Sequence, residues 1–564
     1  MSRGLYLQWE GKRLYRQRIA KPRLLEEVSE LSFGENNQNM IIEGDSLQVL
    51  ASLKSRYSGE VDVVYIDPPY NLGKDDFLYS DKRFRDPDAD NSDAVYVSNE
   101  DGGRHTKWLN FMAPRLYMLW EMLSERGVIF VSINDIELFH LGMLMNEIFD
   151  EKNFIGNIVW RGSPDNNPTR IAVEHEYILC YAKTESNVPK IWSSPEDDIK
   201  EVLLTKYREL KKQTPDLATL KKLWRKLVKE NAPSFPRLGR YTEVDHHNPY
   251  QAAYRVHNPG KEGMRYDVIH PDTKKPCKEP LMGYRFPKET MDQLIAEDRI
   301  IFGKDETTIV QMKDYLEDFK DTLRSVIPLD ARSGAYTLAD LFDGKRDIFR
   351  NPKPVELIER LISFTTRPDS IVLDAFAGSG TTGQAVLNLN KKDNGRRRFI
   401  LIEEGRGKNG KDKFCRTLTA ERVKRAIQRN NFEDGFTFYA TGRKLDRAAI
   451  VGLERDALAS LICQADETGR GKGITRVPGY KFIIGKNPKS EAICLVWNGV
   501  DDSEVTKEHL RAAAQEVTAA GLKRPFRIYG TFCLISDTPK WKFCRIPDEI
   551  LVQLHIQEEM EGEE

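Results

Sequence analysis

The first stretch with chemical potential is Val-Asp-Val-Val-Tyr-Ile-Asp-Pro-Pro-Tyr at 61–70, which ends on a carboxylate, two prolines and an aromatic ring. Asp67 is a hydrogen-bond acceptor. We expect the carbonyls of Pro68 and Pro69 to accept hydrogen bonds from outside the chain, because proline stiffens a turn and has no N–H. Tyr70 offers a flat face for stacking. These groups suit a planar heterocycle with an exocyclic amine, and the alternative is a rigid turn without a chemical role.

A second candidate is the glycine-rich loop Asp-Ala-Phe-Ala-Gly-Ser-Gly-Thr at 374–381. Gly378 and Gly380 permit close approach of a ligand to the backbone, and the loop feeds a helix N-terminus that favours an anionic group such as a carboxylate. Thr381 stands where a phosphate-binding P-loop needs lysine, so we expect no ATP hydrolysis. A dinucleotide-binding fingerprint is only weakly matched, and the loop alone leaves its ligand open.

Both motifs follow predicted strands. Val61–Ile66 is a short apolar run typical of a strand covered on both faces, and Asp374 and Glu403 also end such runs. Asp45 follows a further strand, and Ser46 is the expected N-cap of the helix after it. Because open parallel sheets bind ligands at the carboxyl ends of their strands, we predict that these carboxylates line one edge, with Glu403 placed for ribose hydroxyls.

Helices and strands alternate in the surrounding sequence. Helical spacing covers 108–125, with Gly127 as its end, and 138–149, and Pro354 opens another helix. Strands are predicted at 128–133 and 155–160, the latter paired antiparallel with 176–182. This alternation predicts an α/β fold, a doubly wound and mostly parallel sheet with an antiparallel edge.

Changes in composition divide the chain into five parts. They are a basic N-terminal arm or solvated extension (1–38), a first core part with Asp67-Pro-Pro-Tyr (39–182), a polar, Pro- and Gly-containing block (183–345), a second core part with the glycine loop (346–440) and a small α/β module (441–564). The polar segment 71–106 is expected to cover a substrate or to be disordered. An acidic tail, 558–564, is expected to fray.

The 183–345 block contains a basic segment. Between Lys206 and Arg240 there are eleven lysines and arginines against three acidic residues. Within it, one face of a predicted helix is formed by the apolar residues Leu217, Leu220, Leu223, Trp224, Leu227 and Val228. Lys221, Lys222, Arg225 and Lys226 fall on the other face, which is either a solvated surface or a phosphate-binding one.

The composition of the 564 residues is that of a water-soluble protein of two to four domains, with 31% charged residues and a net charge of −1. No stretch is long and apolar enough to span a membrane, and the N-terminus lacks a signal-peptide core, so we expect a cytoplasmic protein. The seven cysteines are scattered without a Cys-x-x-Cys pair, which argues against disulfides and zinc knuckles. His246, His247, His257 and His270 lack metal-ligand spacing, and no metal is predicted.

The two motifs together resemble those of amino-group DNA methyltransferases. Asp67-Pro-Pro-Tyr70 looks like their catalytic motif and Asp374–Thr381 like their S-adenosylmethionine loop. The catalytic motif comes first and a variable block separates the two, which resembles the circularly permuted β group and, in particular, the modification (Mod) subunits of type III restriction–modification systems. Supporting stretches begin at Lys107, Gly127, Asn351 and Arg397, and the resemblance covers residues 40–440.

The resemblance implies a seven-stranded methyltransferase sheet, S-adenosylmethionine as cofactor and 183–345 as the target-recognition region. It also implies roles for single residues. Asp45 contacts the adenine of the cofactor, Asp374, Phe376, Gly378, Gly380 and Thr381 surround its methionine part, Glu403 holds the ribose, and Lys353 and Pro354 close over its carboxylate. The pair Glu403-Glu404 departs from the usual pattern, so either acid can meet the ribose.

The chemistry of the motif fits methylation of the N6 amine of adenine. The amine lone pair is conjugated with the ring, so attack on a sulfonium methyl group needs acceptors such as Asp67 and the Pro68 carbonyl, while Tyr70 stacks on a base rotated out of the duplex. No metal or covalent intermediate is required. Expected partners are double-stranded DNA, a restriction subunit and a second copy of the chain, with no membrane. N4-cytosine methylation and a DNA-reading scaffold without catalysis remain alternatives.

Overall fold

The computed structural model describes residues 7–12, 20–34, 38–73, 77–162, 170–192, 195–214, 216–231, 238–257, 260–320, 322–346, 348–404 and 414–556. Much of the predicted basic arm and the whole acidic tail lie outside these residues. The described chain forms two compact units, one of residues 1–190 and 324–564 and the other of residues 191–323.

A ten-stranded sheet is the centre of the larger unit. Its strands lie in the order Arg23–Glu27, Thr437–Lys444, Met40–Glu43, Arg398–Glu403, Ile371–Asp374, Val61–Ile66, Leu123–Ile133, His175–Ala182, Phe154–Arg161 and Val326–Pro328. The seven predicted strands run from Met40–Glu43 to Phe154–Arg161 in this order. Three further strands extend the two edges, so the predicted α/β fold is confirmed and the sheet is wider than expected.

The direction of the strands follows the prediction. Neighbours from Thr437–Lys444 to Leu123–Ile133 are parallel, whereas His175–Ala182 is antiparallel to both of its neighbours. Arg23–Glu27 pairs antiparallel at one edge, and Val326–Pro328 pairs parallel at the other. The middle of the sheet is therefore parallel, and antiparallel pairing occurs toward its two ends.

Helices alternate along the chain with the strands of this sheet. In the larger unit, those of eight or more residues before the C-terminal module are Ser46–Tyr57, Arg104–Met122, Leu138–Met145, Arg332–Leu341, Val355–Thr365, Thr381–Asp393 and Glu421–Asn430. The central strands are almost wholly buried; the side chains of Val63, Val64 and Ile66 have no exposed surface. Burial on both faces explains why these strands are continuous apolar runs.

One predicted boundary is wrong in an informative way. The helix expected at 108–125 spans Arg104–Met122, and the next strand begins at Leu123 instead of Val128. Leu123 pairs with Val61, so sheet pairing continues through Gly127. A Cβ at Gly127 would lie 2.8 Å from the Val61 carbonyl oxygen, which shows that this glycine permits close strand packing and does not end the helix.

The segment predicted as a covering or disordered loop, 71–106, contains regular structure. A short hairpin pairs Leu78–Tyr79 with Val95–Tyr96, and the helix Asp81–Arg85 lies between these strands. Residues 74–76 lie outside the described part of the chain.

The smaller unit is a helical and antiparallel body. It contains the helices Pro195–Gln213, Leu217–Asn231 and Lys288–Ala296, and a four-stranded sheet in the order Ile300–Ile301, Gln311–Tyr315, Pro249–Ala253 and Glu243–Val244. Leu220, Trp224 and Val228 form the buried face of the second helix, while Leu223, predicted on that face, is 39% exposed.

The C-terminal residues form a five-stranded sheet within the larger unit. Its order is Thr475–Arg476, Ile483–Lys486, Glu491–Leu495, Lys523–Gly530 and Trp541–Arg545, with the helices Arg447–Val451, Arg455–Ala465, Lys507–Ala519 and Asp548–Gln553. Among the described residues, no helix is long and apolar enough to cross a membrane.

Candidate active site

The two motifs meet at the carboxyl edge of the central strands. Val61–Ile66 and Ile371–Asp374 are parallel neighbours, so Asp67 and Asp374 leave adjacent strands at the same edge. Arg398–Glu403 lies on the other side of Ile371–Asp374 and brings Glu403 to this edge as well. The predicted gathering of carboxylates is thus present in the structure.

The side chains of the first motif form a compact polar cluster. The Tyr70 hydroxyl lies 2.8 Å from Asp67 Oδ1 and 2.9 Å from Glu176 Oε2. Lys353 Nζ lies 3.0 Å from Asp67 Oδ1, from Glu176 Oε2 and from the Tyr70 hydroxyl. Burial, with the charges of Asp67 and Glu176, raises the pKa of Tyr70 well above its ordinary value, so the hydroxyl keeps its proton.

Lys353 connects the two motifs. Its side chain is 9% exposed, and its ammonium group lies 5.1 Å from the centre of the Tyr70 ring. Burial lowers the pKa of Lys353, but the charges of Asp67 and Glu176 outweigh burial and leave the pKa above its ordinary value. The Lys353 carbonyl accepts a hydrogen bond from Thr381 Oγ1 at 3.4 Å. The residue predicted to close over the cofactor therefore directs its main chain to the glycine loop and its charge to the first motif.

The two proline carbonyls are not equivalent. The indole N–H of Trp108, which is fully buried, donates to the Pro69 carbonyl at 2.7 Å. The expectation that both carbonyls are free for a ligand is therefore wrong for Pro69. No described residue donates a hydrogen bond to the Pro68 carbonyl, which leaves it as the available acceptor beside Asp67.

A buried network holds the chain immediately after Tyr70. Asn71 has φ +59° and is fully buried, and its Nδ2 donates to Glu137 Oε1 at 2.6 Å. The imidazole Nδ1 atoms of His105 and His140 lie 2.7 and 2.8 Å from the Glu137 oxygens. Within the described residues, His105, Glu137 and His140 are the one group of potential metal ligands that converge. Direct hydrogen bonds satisfy the carboxylate and fix the turn that carries Tyr70.

The glycine loop requires its glycines. Gly378 and Gly380 have φ of +50° and +83°, where side chains are disfavoured. The Gly378 N–H donates to Glu403 Oε2 at 2.7 Å, and the Gly378 carbonyl accepts from Thr419 Oγ1 at 2.6 Å. Gly380 is the N-cap of the Thr381–Asp393 helix and, as a glycine, provides no side-chain capping hydrogen bond.

Asp374 is a buried carboxyl group beneath this loop. Its Oδ1 accepts from the Phe376 N–H at 3.0 Å, and its Oδ2 accepts from the Thr382 hydroxyl at 2.5 Å. Burial raises the pKa of Asp374 to about 7, with a contribution from the charges of Asp67 and Glu403. The Phe376 ring packs, partly buried, against the main core.

Arg422, which the sequence motifs do not indicate, binds side chains of the glycine loop. The guanidinium is fully buried and donates to Ser379 Oγ and Thr381 Oγ1, both at 2.6 Å, and to Gln384 Oε1 at 3.0 Å. Burial lowers the pKa of Arg422 to about 9. The loop hydroxyl groups are therefore held in place by a buried cation.

Asp45 has a different environment from the predicted one. It, and not Ser46, is the N-cap of the Ser46–Tyr57 helix, accepting from the Leu47 and Gln48 N–H groups. Its Oδ2 also lies 2.6 Å from Arg115 Nη2 and 3.2 Å from Arg83 Nη1. Burial raises the pKa of Asp45, but the charges of the two arginines, together with the hydrogen bonds from the Gln48 and Leu47 N–H groups, leave it below its ordinary value. The carboxylate is thus saturated by protein groups, and a contact with the cofactor adenine stays a prediction.

Two other predicted site residues occupy supporting positions. Pro354 is the N-cap residue of the Val355–Thr365 helix, as its sequence position indicates. Glu404, the alternative ribose ligand, lies 3.3 Å from Arg83 Nη1, whereas Glu403 faces the glycine loop.

The four basic residues predicted to bind DNA lie on the Leu217–Asn231 helix of the smaller unit. Arg225 pairs with Glu243, and Lys226 lies 3.8 Å from Glu230. Within the described residues, Lys221 and Lys222 form no ion pair. These two lysines are the members of the set that remain available to an anionic partner.

Comparison with known proteins identifies a family. A family model described as DNA methylase matches residues 61–408. The EcoP15I Mod subunit of a type III restriction–modification enzyme from Escherichia coli is 40% identical over 77% of this chain and 70% of its own length. The StyLTI Mod subunit from Salmonella typhimurium is 31% identical over 73% of this chain and 62% of its own length. The chain thus spans less than two thirds of the latter relative.

Among solved structures, the M1.HpyAVI–SAM complex matches 70% of this chain and all of its own, at 15% identity and a TM-score of 0.29. PvuII DNA methyltransferase, described as cytosine-N4-specific, matches 70% of this chain and 93% of its own, at 13% identity and a TM-score of 0.30.

Proposed function

The chain belongs to the DNA methylase family and, at 40% identity to the EcoP15I Mod subunit, to the type III modification subunits within it; on this premise we propose that it is an S-adenosylmethionine-dependent, site-specific DNA methyltransferase. Its substrate is the N6 amine of an adenine turned out of double-stranded DNA. The resemblance inferred from the sequence motifs is confirmed by the family match.

The observation that carries the proposal is the meeting of the two motifs on adjacent parallel strands. Asp67 and the Pro68 carbonyl supply two acceptors at the edge where Asp374 and the glycine loop begin. The Tyr70 ring lies beside these acceptors. This arrangement joins an amine-binding group to a loop suited to a ligand with a carboxylate.

The residues of the first motif act on the base. Asp67 and the Pro68 carbonyl accept hydrogen bonds from the two N–H groups of the amine, which draws its nitrogen lone pair out of conjugation with the ring. Tyr70 stacks on the base. The Trp108 hydrogen bond to Pro69 and the Asn71 network hold these groups in position without occupying the Pro68 acceptor.

The residues of the second motif fit the cofactor. The two left-handed glycines admit a ligand close to the backbone, and the helix N-terminus after Gly380 presents N–H groups that the glycine, having no side chain, does not cap. We assign Asp374, Phe376, Gly378, Gly380 and Thr381 to its methionine part and Glu403 to its ribose. When bound, S-adenosylmethionine supplies an activated methyl group.

The relatives are named as subunits of restriction–modification enzymes, and we extend to this chain the expectation of a restriction subunit as partner. The smaller unit is proposed to select the DNA sequence, with Lys221 and Lys222 on phosphate groups. A second copy of the chain is a further proposed partner, and light scattering of the purified protein measures it directly.

The test is transfer of a labelled methyl group to DNA containing the recognition site, followed by identification of the modified base. Detection of N6-methyladenine would support the proposal, whereas detection of N4-methylcytosine would identify cytosine as the substrate base. DNA binding without methyl transfer would support the scaffold alternative. Asp67→Ala is expected to lower the rate by about two to three powers of ten while both ligands still bind.

Tyr70 variants separate stacking from hydrogen bonding. Tyr70→Ala is expected to weaken the flipped state by about 1–3 kcal/mol, whereas Tyr70→Phe keeps the ring and loses the hydroxyl. The fluorescence of 2-aminopurine at the target position should rise with Asp67→Ala and Tyr70→Phe, and much less with Tyr70→Ala. Near-normal turnover by Asp67→Ala would show that this motif is a rigid turn without a chemical role.

A further inference from the structure

Three charged side chains, Asp67, Lys353 and Glu176, meet around the Tyr70 hydroxyl and are called here the three-charge cluster. Lys353 Nζ lies 3.0 Å from a carboxylate oxygen of each acid. Glu176 comes from the antiparallel strand His175–Ala182 and belongs to neither sequence motif. Two carboxylates and one ammonium group leave the cluster with a net charge of −1.

The sign of this net charge matters for the proposed reaction. The amine nitrogen forms a bond to the methyl carbon while the carbon–sulfur bond breaks and its electron pair remains on sulfur. The nitrogen carries positive charge until it releases its surplus proton to water. A negatively charged environment stabilises that nitrogen, because charge develops there only as the reaction proceeds.

Lys353 by itself opposes this effect. Its side chain is 9% exposed, so little water screens its charge from Asp67. A pair formed by Asp67 and Lys353 alone is neutral, and its ammonium group would repel the developing positive charge. Glu176 lies 2.9 Å from the Tyr70 hydroxyl and 3.0 Å from the same ammonium group, and so supplies the second negative charge.

We propose that Glu176 is a positioning residue for methyl transfer, whose carboxylate balances Lys353 so that the charge of Asp67 stays available to the amine. This inference rests on the proposed function. Glu176 lies outside both motifs. The Lys353 carbonyl accepts a hydrogen bond from Thr381 of the glycine loop, whereas Asp67 provides the negative charge for the amine.

Charge-changing variants test the inference through the rate of a single turnover. Glu176→Gln keeps the size and one acceptor oxygen but removes the charge, and we expect it to lower the rate about 10- to 100-fold. The KM for the cofactor should change less than about threefold. Glu176→Asp, which keeps the charge, should retain most of the rate, whereas a purely steric role would leave Glu176→Gln active and slow the shorter Glu176→Asp.

A double-mutant cycle provides the stricter criterion. In Glu176→Gln combined with Lys353→Met, the ammonium group is absent and Asp67 again provides a net charge of −1. The double variant should therefore be at least about tenfold faster than Glu176→Gln alone. Losses that multiply across the two single variants, or an unaffected Glu176→Gln, would overturn the inference. Glu174→Gln is the matched control, because Glu174 is exposed on the same segment.

A second measurement distinguishes failure of this inference from failure of the proposed function. Removing the Glu176 charge should lower the pKa of Lys353 and increase its modification by an acetylating reagent, quantified by mass spectrometry, whether or not DNA is methylated. If the wild-type protein transfers no methyl group, the proposed function fails, while increased labelling would still support the charge balance. Unchanged labelling in Glu176→Gln would refute the charge balance itself.

Discussion

Replacing Asp374 by asparagine tests whether the glycine loop holds a neutral carboxyl group at its base. Asparagine keeps an acceptor for the Phe376 N–H and can donate to the Thr382 oxygen, so the main loss is the ionisable proton. In the folded protein the pKa of Asp374 is raised to about 7, compared with about 3.9 in an unfolded chain.

The sign and size of the effect follow from proton linkage. Because the folded state binds the proton more tightly, Asp374 contributes stability below the unfolded pKa, and this contribution is lost as the pH rises through 7. Each pH unit between the two pKa values is worth about 1.4 kcal/mol. Between pH 5 and pH 8 the wild-type protein should therefore lose roughly 2.5 kcal/mol that the Asp374→Asn protein does not lose.

The assay is urea-induced unfolding of the cofactor-free protein at pH 5, 6, 7 and 8, for the wild type and Asp374→Asn. The difference in unfolding free energy between the two proteins should shift in favour of asparagine as the pH rises. Asp369→Asn serves as the control, because the Asp369 side chain is 84% exposed. A difference that does not vary with pH would show that the carboxyl group is ionised throughout, and would refute the reasoning.

Four other outcomes are expected. Affinity for S-adenosylmethionine, measured by calorimetry, should fall by up to about tenfold per pH unit below 7 in the wild type and stay flat in Asp374→Asn. The Asp374 carboxyl group, which we assign to the methionine part, takes up a proton as the pH falls below its pKa of about 7, and we expect the protonated form to bind that part less tightly. Replacing Lys221 and Lys222 together by alanine should reduce the slope of log affinity for DNA against log salt concentration by about two units. The control Lys288→Ala should leave this slope unchanged, because exposed Lys288 is already paired with Asp292. Gly380→Ala should destabilise the protein by roughly 1–3 kcal/mol in thermal melts, since φ is +83° and the new Cβ would lie 3.1 Å from a carbonyl oxygen. The purified chain should show no steady ATP turnover, with or without DNA, since Thr381 replaces the P-loop lysine.

The positions of both motifs could be predicted from the sequence because they are local. Apolar runs that end in Asp67 and Asp374 indicate buried strands, and buried parallel strands place their carboxyl ends on one edge. The antiparallel pairing of 155–160 with 176–182 could also be predicted, because the two runs are largely apolar and lie close together in the sequence. The structure confirms this pairing.

The contacts that complete the site could not be predicted. Glu176 looks like an ordinary residue at the start of a strand, and Arg422 is one of several arginines on its helix. Their roles depend on which side chains the fold brings within 3 Å, and no spacing along the chain encodes that. The same applies to Asp45, whose position at a strand end suggests a ligand contact, although two distant arginines and a helix N-terminus already satisfy it.

The chain enters the smaller unit after Lys190 and returns to the larger unit at Arg324. The main-sheet strands nearest these two points in sequence are His175–Ala182 and Val326–Pro328. Neither His175–Ala182 nor Val326–Pro328 is one of the two strands that carry Asp67 and Asp374. Residues 191–323 are therefore inserted between these two strands of the main sheet, and their replacement leaves the strands that carry Asp67 and Asp374 unchanged in sequence. Under the proposed division of labour, a lineage can acquire a new DNA specificity by recombination at these points, while the chemistry is inherited unchanged.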